Sequence, residues 1–187
     1  LIKKNNLSIE IINDLFKGIE SDISDQVYLN SSKELELYAY QVGGTVGLMM
    51  AKLLHVTNTK AFDGAKNLGI AMQLTNISRD VVEDKNNNRF YIEHNLNAIK
   101  NTLLVAETFY QNSYDSIKHI PVQYRLSICV ARRVYRKIGR KILSYKTIEE
   151  YNKSGKTYVT ASEKLFETIL ATCDFLYFLI WKNLYYS

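Results

Sequence analysis

The sequence predicts an all-α helical bundle in one domain, and three observations carry that expectation. One Pro and eight Gly in 187 residues leave few places to break a helix. Hydrophobic residues at 47% and charged residues at 23% are the proportions of a chain that buries a core rather than staying disordered. Apolar residues then recur with the 3.6-residue period of a helix in one segment after another.

In chain order, Leu7–Glu20 places Ile11, Ile12, Leu15, Phe16 and Ile19 on one helical face. A turn-rich stretch runs through Asp22 to Asn30. Ser31 or Ser32 can cap the next helix, with Glu34 in its first turn, and that helix runs to about Leu54. Gly43, Gly44 and Gly47 lie inside it. Each costs about 1 kcal/mol relative to Ala in a helix, so close approach of another helix or of a ligand is expected there. Thr57–Lys60 reads as a polar turn, and a central helix spans about Ala61 to Asp84 before the loop Asn86–Asn88. Ile99–Ile120 reads as a further helix, and Pro121 opens the next, where its missing N–H does no harm. Pro121–Tyr145 is amphipathic: Arg132, Arg133, Arg136, Lys137, Arg140 and Lys141 fill about half its circumference and are expected to face solvent, with Tyr135 facing inwards. Lys146–Gly155 reads as a polar connector. Ala161–Tyr186 forms a last helix, interrupted by too many charges to span a bilayer.

The central helix carries the chemistry. Gln73, Asn76, Asp80 and Asp84 are spaced +3, +4 and +4, which sets them within an arc of roughly 80°. Carboxylates one turn apart repel each other and weaken a helix, unless a cation lies between them. Asp-x-x-x-Asp alone is also the pattern of a solvated acidic face, but amides continuing the stripe among apolar neighbours point to a cavity or to pairing within the core. Oxygen ligands of this kind suit Mg²⁺, which takes one or two carboxylates plus phosphate oxygens and water. Arg79, beside the stripe, has the fork that grips phosphate.

The segment Q-L-T-N-I-S-R-D-V-V-E-D, from Gln73 to Asp84, is followed by Arg89-Phe90-Tyr91 and resembles the second aspartate-rich signature of the squalene/phytoene synthase family. Upstream, Y-A-Y-Q-V-G-G-T-V-G-L-M-M, from Tyr38 to Met50, resembles the family's other hallmark, with Gly43 where the family usually has Ala. The Gly-Leu-Met-Met ending leans towards bacterial phytoene synthases. The resemblance covers almost the whole chain, so residues 1–187 are taken as one domain of this family. It implies the isoprenoid synthase helical bundle and an Mg²⁺-dependent prenyltransferase, with Mn²⁺ as a substitute. The reaction that it implies joins two geranylgeranyl diphosphates through a cyclopropyl diphosphate to phytoene, in carotenoid biosynthesis, with no NADPH expected. Residue by residue it implies Asp80 and Asp84 as metal ligands, with Gln73 and Asn76 shaping the site. It further implies that Arg79 and Tyr135 hold diphosphate, that Tyr38 and Val42 line a tunnel that bends near the glycines, and that Arg89 and Tyr91 neighbour the site. Asp22 stands at a familiar place, Asn88 replaces a glycine that precedes the Arg, and Lys156 stands where the family usually carries Arg.

A net charge of +5 fits partners with phosphates or an anionic membrane surface. Nucleic acid is not expected, because no binding motif accompanies the charge. Cys129 and Cys173 make no disulfide framework and suit a reducing compartment, so a cytoplasmic protein is expected, with peripheral contact to the inner face of the membrane as the second reading of the basic stripe. The scattered His55, His94 and His119 have no zinc spacing.

The family has two facing aspartate-rich motifs, and no Asp-x-x-x-Asp precedes Tyr38. The sequence therefore reads as starting after the first motif, and the chain alone is expected to hold metal weakly, to be inactive and to expose apolar faces. Squalene or dehydrosqualene synthase is the neighbouring enzymatic reading. A non-catalytic binding or assembly protein of the same fold is the alternative.

Overall fold

A computed structural model describes residues 7–184. Eight helices account for almost all of the described structure: α1 (Ile9–Ser21), α2 (Ser32–Ala39), α3 (Thr45–Leu53), α4 (Thr59–Asn86), α5 (Leu96–Tyr114), α6 (Val122–Leu143), α7 (Ile148–Ser154) and α8 (Ala161–Leu184). Two two-residue strands, β1 (Val27–Tyr28) and β2 (Arg89–Phe90), pair in parallel. The all-α expectation holds. The expected ends of α8 at Tyr185 and Tyr186 lie outside the described residues.

The helix starts follow their caps. Ser8, Asn58, Asn95 and Thr147 each accept a hydrogen bond from a first-turn backbone N–H. Ser31 does the same for Glu34, while the Glu34 carboxylate accepts from the Asn30 N–H at 2.8 Å. A π turn over Tyr40–Gly44 joins α2 to α3, which is where the glycine-rich bend was expected. Gly43 and Gly69 let that turn cross α4 backbone against backbone. A Cβ on Gly43 would stand 2.5 Å from the Gly69 carbonyl oxygen, and one on Gly69 would stand 2.2 Å from that of Gly43.

α4 runs through the middle. Leu68, Ile70, Ala71, Leu74, Ile77 and Val81 are buried on one half of it, against Ala106 and Tyr110 of α5 on one side and Ile99, Leu103, Ile138 and Ile142 further along. Its other half carries the Gln73–Asp84 stripe.

Three expectations about elements are corrected. The connector at 146–155 contains α7, whose Tyr151 is buried and donates to the carbonyls of Ser78 and Arg79 at 2.9 and 3.0 Å. The Ile99–Ile120 helix ends at Tyr114 and continues as a 3₁₀ turn over Asp115–His119. The cations of α6 do not all face solvent. Arg132 is buried, donates twice to the Tyr110 carbonyl and lies over the Tyr114 ring at 4.7 Å. Arg133 grips Asp174 of α8, Arg136 grips Glu107 of α5, and Lys141 reaches Glu163. Helical period assigns a face to these residues but not a solvent, and here the neighbouring helices bring carboxylates to meet them.

Candidate active site

A cavity of about 360 Å³ opens between α3 and α4. Its walls are apolar, from Val42, Val46, Met50, Leu54, Leu68 and Met72, and Gln73 and Asn76 give it polar groups at its last α4 positions. Val42 is part of its lining, whereas Tyr38 stands outside it. Asp80 and Asp84 continue the stripe, Asp84 about 12 Å beyond Asn76 at 1.5 Å per residue. An apolar chamber thus leads towards a carboxylate pair.

The two carboxylates differ. Arg79 donates to both Asp80 oxygens, at 2.8 and 2.6 Å, and Lys156 approaches to 3.2 Å. Arg79 therefore holds Asp80 in this structure. A bidentate fork within reach of a carboxylate closes on it. Lys156 also pairs with Glu83 at 2.7 Å, which bridges α4 and the segment after α7. Asp84 is half-buried and has no hydrogen-bond or ion-pair partner among the described residues. Burial first, then the charges of Asp80 and Glu83, push its acid up to about 7. Arg89 is close enough to oppose that shift.

Tyr38, Tyr91 and Asp22 form a third group. Both phenols donate to the Asp22 carboxylate, at 2.7 and 2.8 Å, and their rings stack with centroids 4.8 Å apart. Burial and this hydrogen bonding hold both phenols well above the ordinary tyrosine range. Tyr91 is placed by β2, and β2 is placed by Asn88. The left-handed φ of 58° at Asn88 turns the chain, and its carbonyl accepts from the Val27 N–H at 3.0 Å. Tyr135 packs against the clusters on either side of Leu74 and Val81, near Arg79. The structure therefore gathers Gln73, Asn76 and Val42 at the cavity, and Asp80, Arg79, Lys156 and Tyr135 beside it. Asp84 adjoins Arg89 and Tyr91, as one small pocket shows. Reading the sequence missed Tyr151, although Thr147-x-x-Glu150 is a helix-start signal.

A hard divalent cation fits the donor set. Asp84 carries a half-buried charge that a cation bound to the carboxylate pair would relieve. The Asn76 side-chain oxygen, about 12 Å back along α4, is buried with no partner among the described residues and belongs to the cavity instead. Among the described residues no cluster of three or more His, Cys, Asp or Glu forms, so the chain's own contribution is the pair.

The squalene/phytoene synthase profile matches residues 1–96, just over half the chain. The chain belongs to the squalene/phytoene synthase family. A 15-cis-phytoene synthase of Enterobacter agglomerans is 32% identical over 151 residues, covering 70% of this chain and 51% of that protein. The chloroplastic phytoene synthase of an Oncidium hybrid cultivar is 30% identical over 187 residues, covering 85% of this chain and 44% of its own length. The chain spans about half the length of the curated relatives it matches. Among solved structures, a dehydrosqualene synthase with bound ligand superposes with a TM-score of 0.69 at 25% identity, covering 88% of this chain and 64% of that one. A squalene synthase from Alicyclobacillus acidocaldarius, 15% identical with a TM-score of 0.62, shares the fold. The helices are those of the isoprenoid synthase bundle. No helix among the described residues is long and apolar enough to cross a membrane.

Proposed function

We propose that this domain, residues 1–187, supplies the Asp80/Asp84 wall and the prenyl cavity of a phytoene synthase-type prenyltransferase. The observation that carries this reading is the continuity of the apolar cavity with the Gln73–Asn76–Asp80–Asp84 stripe. It matches a substrate with a long hydrocarbon tail and a diphosphate head. Asp80 and Asp84 would hold Mg²⁺, which would stabilise the charge on departing diphosphate. Arg79, Lys156 and Tyr135 would hold that diphosphate once Arg79 and Lys156 turn from Asp80. The C1–O bond of one allylic diphosphate breaks, and the double bond of a second substrate attacks the cation with loss of a proton, closing the cyclopropane. The apolar walls keep water from that cation. The Tyr38–Asp22–Tyr91 group would fix the phenols beside the head groups.

The test is calorimetric titration of geranylgeranyl diphosphate with and without Mg²⁺, followed by product analysis with the N-terminal half of a phytoene synthase supplied. Mg²⁺-dependent binding, and phytoene made without a reductant, are expected. Asp80→Ala should weaken binding and abolish turnover. Unchanged turnover would remove Asp80 from the site. Squalene-type product formed only with NADPH would favour the neighbouring enzymatic reading.

A further inference from the structure

Arg125 lies outside everything described above. It belongs to the first turn of α6 and is only 4% exposed. Its Nε donates to the Ile120 carbonyl at 2.7 Å, while its Nη1 is buried with no partner among the described residues. The other arginines of α6 that point inwards are matched: Arg132 by the Tyr110 carbonyl, Arg133 by Asp174, Arg136 by Glu107. Among the described residues no carboxylate pairs with Arg125. A buried guanidinium without a counter-charge is costly.

Its surroundings are also cationic. Gly64 packs α4 directly onto the 3₁₀ turn, where a Cβ would stand 1.6 Å from the Ser116 hydroxyl. That contact brings the first turn of α4, with exposed Lys60, to the turn that carries Lys118 and His119. Burial, and after it the charges of Lys118, Lys60 and Arg125, hold the His119 pKa down. The positive end of the α4 dipole adds to this. Leu54, Val56, Ile117 and Ile120 of the cavity wall lie at the same end, away from Asp80.

We propose that this end of the bundle is a second anion site, in which Arg125, His119 and Lys60 receive a phosphate group. Several cations with one unmatched guanidinium N–H call for a compact oxyanion of more than one charge, and a guanidinium recognises phosphate through paired N–H groups. The phosphate comes either from free phosphate or diphosphate, or from a lipid headgroup met by exposed Val122 and Leu126 beside Arg125.

The test compares three proteins: the wild type, Lys60→Gln/His119→Gln, and Arg79→Gln/Lys156→Gln. Melting is followed in chloride, inorganic phosphate and diphosphate at constant ionic strength, and co-sedimentation with vesicles of phosphatidylglycerol or phosphatidylcholine. Phosphate should raise the wild-type midpoint, and Lys60→Gln/His119→Gln should need about tenfold more phosphate for the same shift. Arg79→Gln/Lys156→Gln should lose the part of the diphosphate response that belongs to the Asp80 site and keep the response to inorganic phosphate. Phosphatidylglycerol binding lost in Lys60→Gln/His119→Gln would assign a headgroup; a phosphate shift without vesicle binding would assign a free anion. The proposal is overturned if neither phosphate nor phosphatidylglycerol distinguishes Lys60→Gln/His119→Gln from the wild type. It is also overturned if the response to inorganic phosphate disappears only in Arg79→Gln/Lys156→Gln. Arg125→Lys, which keeps the charge but loses the fork, should weaken phosphate binding in a protein that still melts cooperatively.

Discussion

At the scale of single residues, Asp84 shows how a site stores unfavourable charge. Its carboxylate is half-buried one turn from Asp80, and its acid is pushed up to about 7, mainly by burial. A carboxyl whose folded pKa is raised stabilises the fold fully when both states are protonated. That contribution is lost as pH rises from the ordinary value near 4 through 7. In metal-free buffer, Asp84→Asn should therefore gain stability over the wild type progressively between about pH 4 and pH 7 and hold a constant advantage above. Chemical denaturation of both proteins across that range, with chelator present, measures it. Equal pH profiles would show that Asp84 is not strained by burial. Asp80, one turn away, is paired with Arg79 and Lys156. Asp22 shows a third arrangement, one carboxylate accepting from two stacked phenols. Tyr91→Phe removes one of those donors and should cost about 1 kcal/mol, read from the denaturation midpoint.

At the scale of elements, the site depends on how closely the π turn crosses α4. Gly69→Ala would drive a methyl group to 2.2 Å from the Gly43 carbonyl oxygen, so the two backbones must separate. Overpacking of this kind costs about 1–3 kcal/mol, and it should also widen the cavity that Val42 and Gln73 share. A lower melting temperature with weakened prenyl diphosphate binding is expected; an unchanged Tm would mean that the crossing relaxes freely. The sequence made much of this element legible. The spacing of Gln73, Asn76, Asp80 and Asp84 assigns them one face because a helix has a fixed period, and three interior glycines announce a close approach. Asn88 was readable as a left-handed position because few other residues tolerate it. The partners were not readable. Nothing local to Asp80 says that Lys156 reaches it, and nothing local to Tyr38 says that Asp22 and Tyr91 meet on its hydroxyl. Those contacts depend on how separate elements dock. α7 was missed for a different reason: its seven residues are too few for periodicity to show.

At the scale of the whole molecule, α8 is oriented by charge rather than by its apolar side chains. Glu167, Ala171, Asp174 and Phe178 face the bundle and are buried, while Leu165, Phe166, Ile169, Leu176 and Ile180 are exposed. Hydrophobic burial alone would favour the opposite rotation. The inward face is fixed by Arg133, which holds Asp174 through two nitrogens, the longer contact 2.9 Å, and reaches Glu167 at 3.5 Å, with the Tyr114 hydroxyl donating to Asp174 at 3.0 Å. Removing Arg133 leaves two buried carboxylates without a counter-charge, although Asp174 keeps its hydrogen bond from Tyr114. Arg133→Leu should therefore destabilise by an amount near the lower end of about 3–5 kcal/mol, because the Arg133 side chain is still 21% exposed and solvent screens part of the loss. α8 should loosen first, so amides in residues 161–180 should exchange faster than those of α4. The triple change Arg133→Leu/Glu167→Leu/Asp174→Leu separates two explanations. If the ions supply orientation rather than net stability, the triple variant recovers most of the lost Tm. Its α8 is then free to turn, and hydrogen exchange along the helix becomes uniform around its circumference. If the triple variant is as unstable as Arg133→Leu, the ion cluster itself contributes the stability, and the exposed apolar stripe has no bearing on how α8 docks.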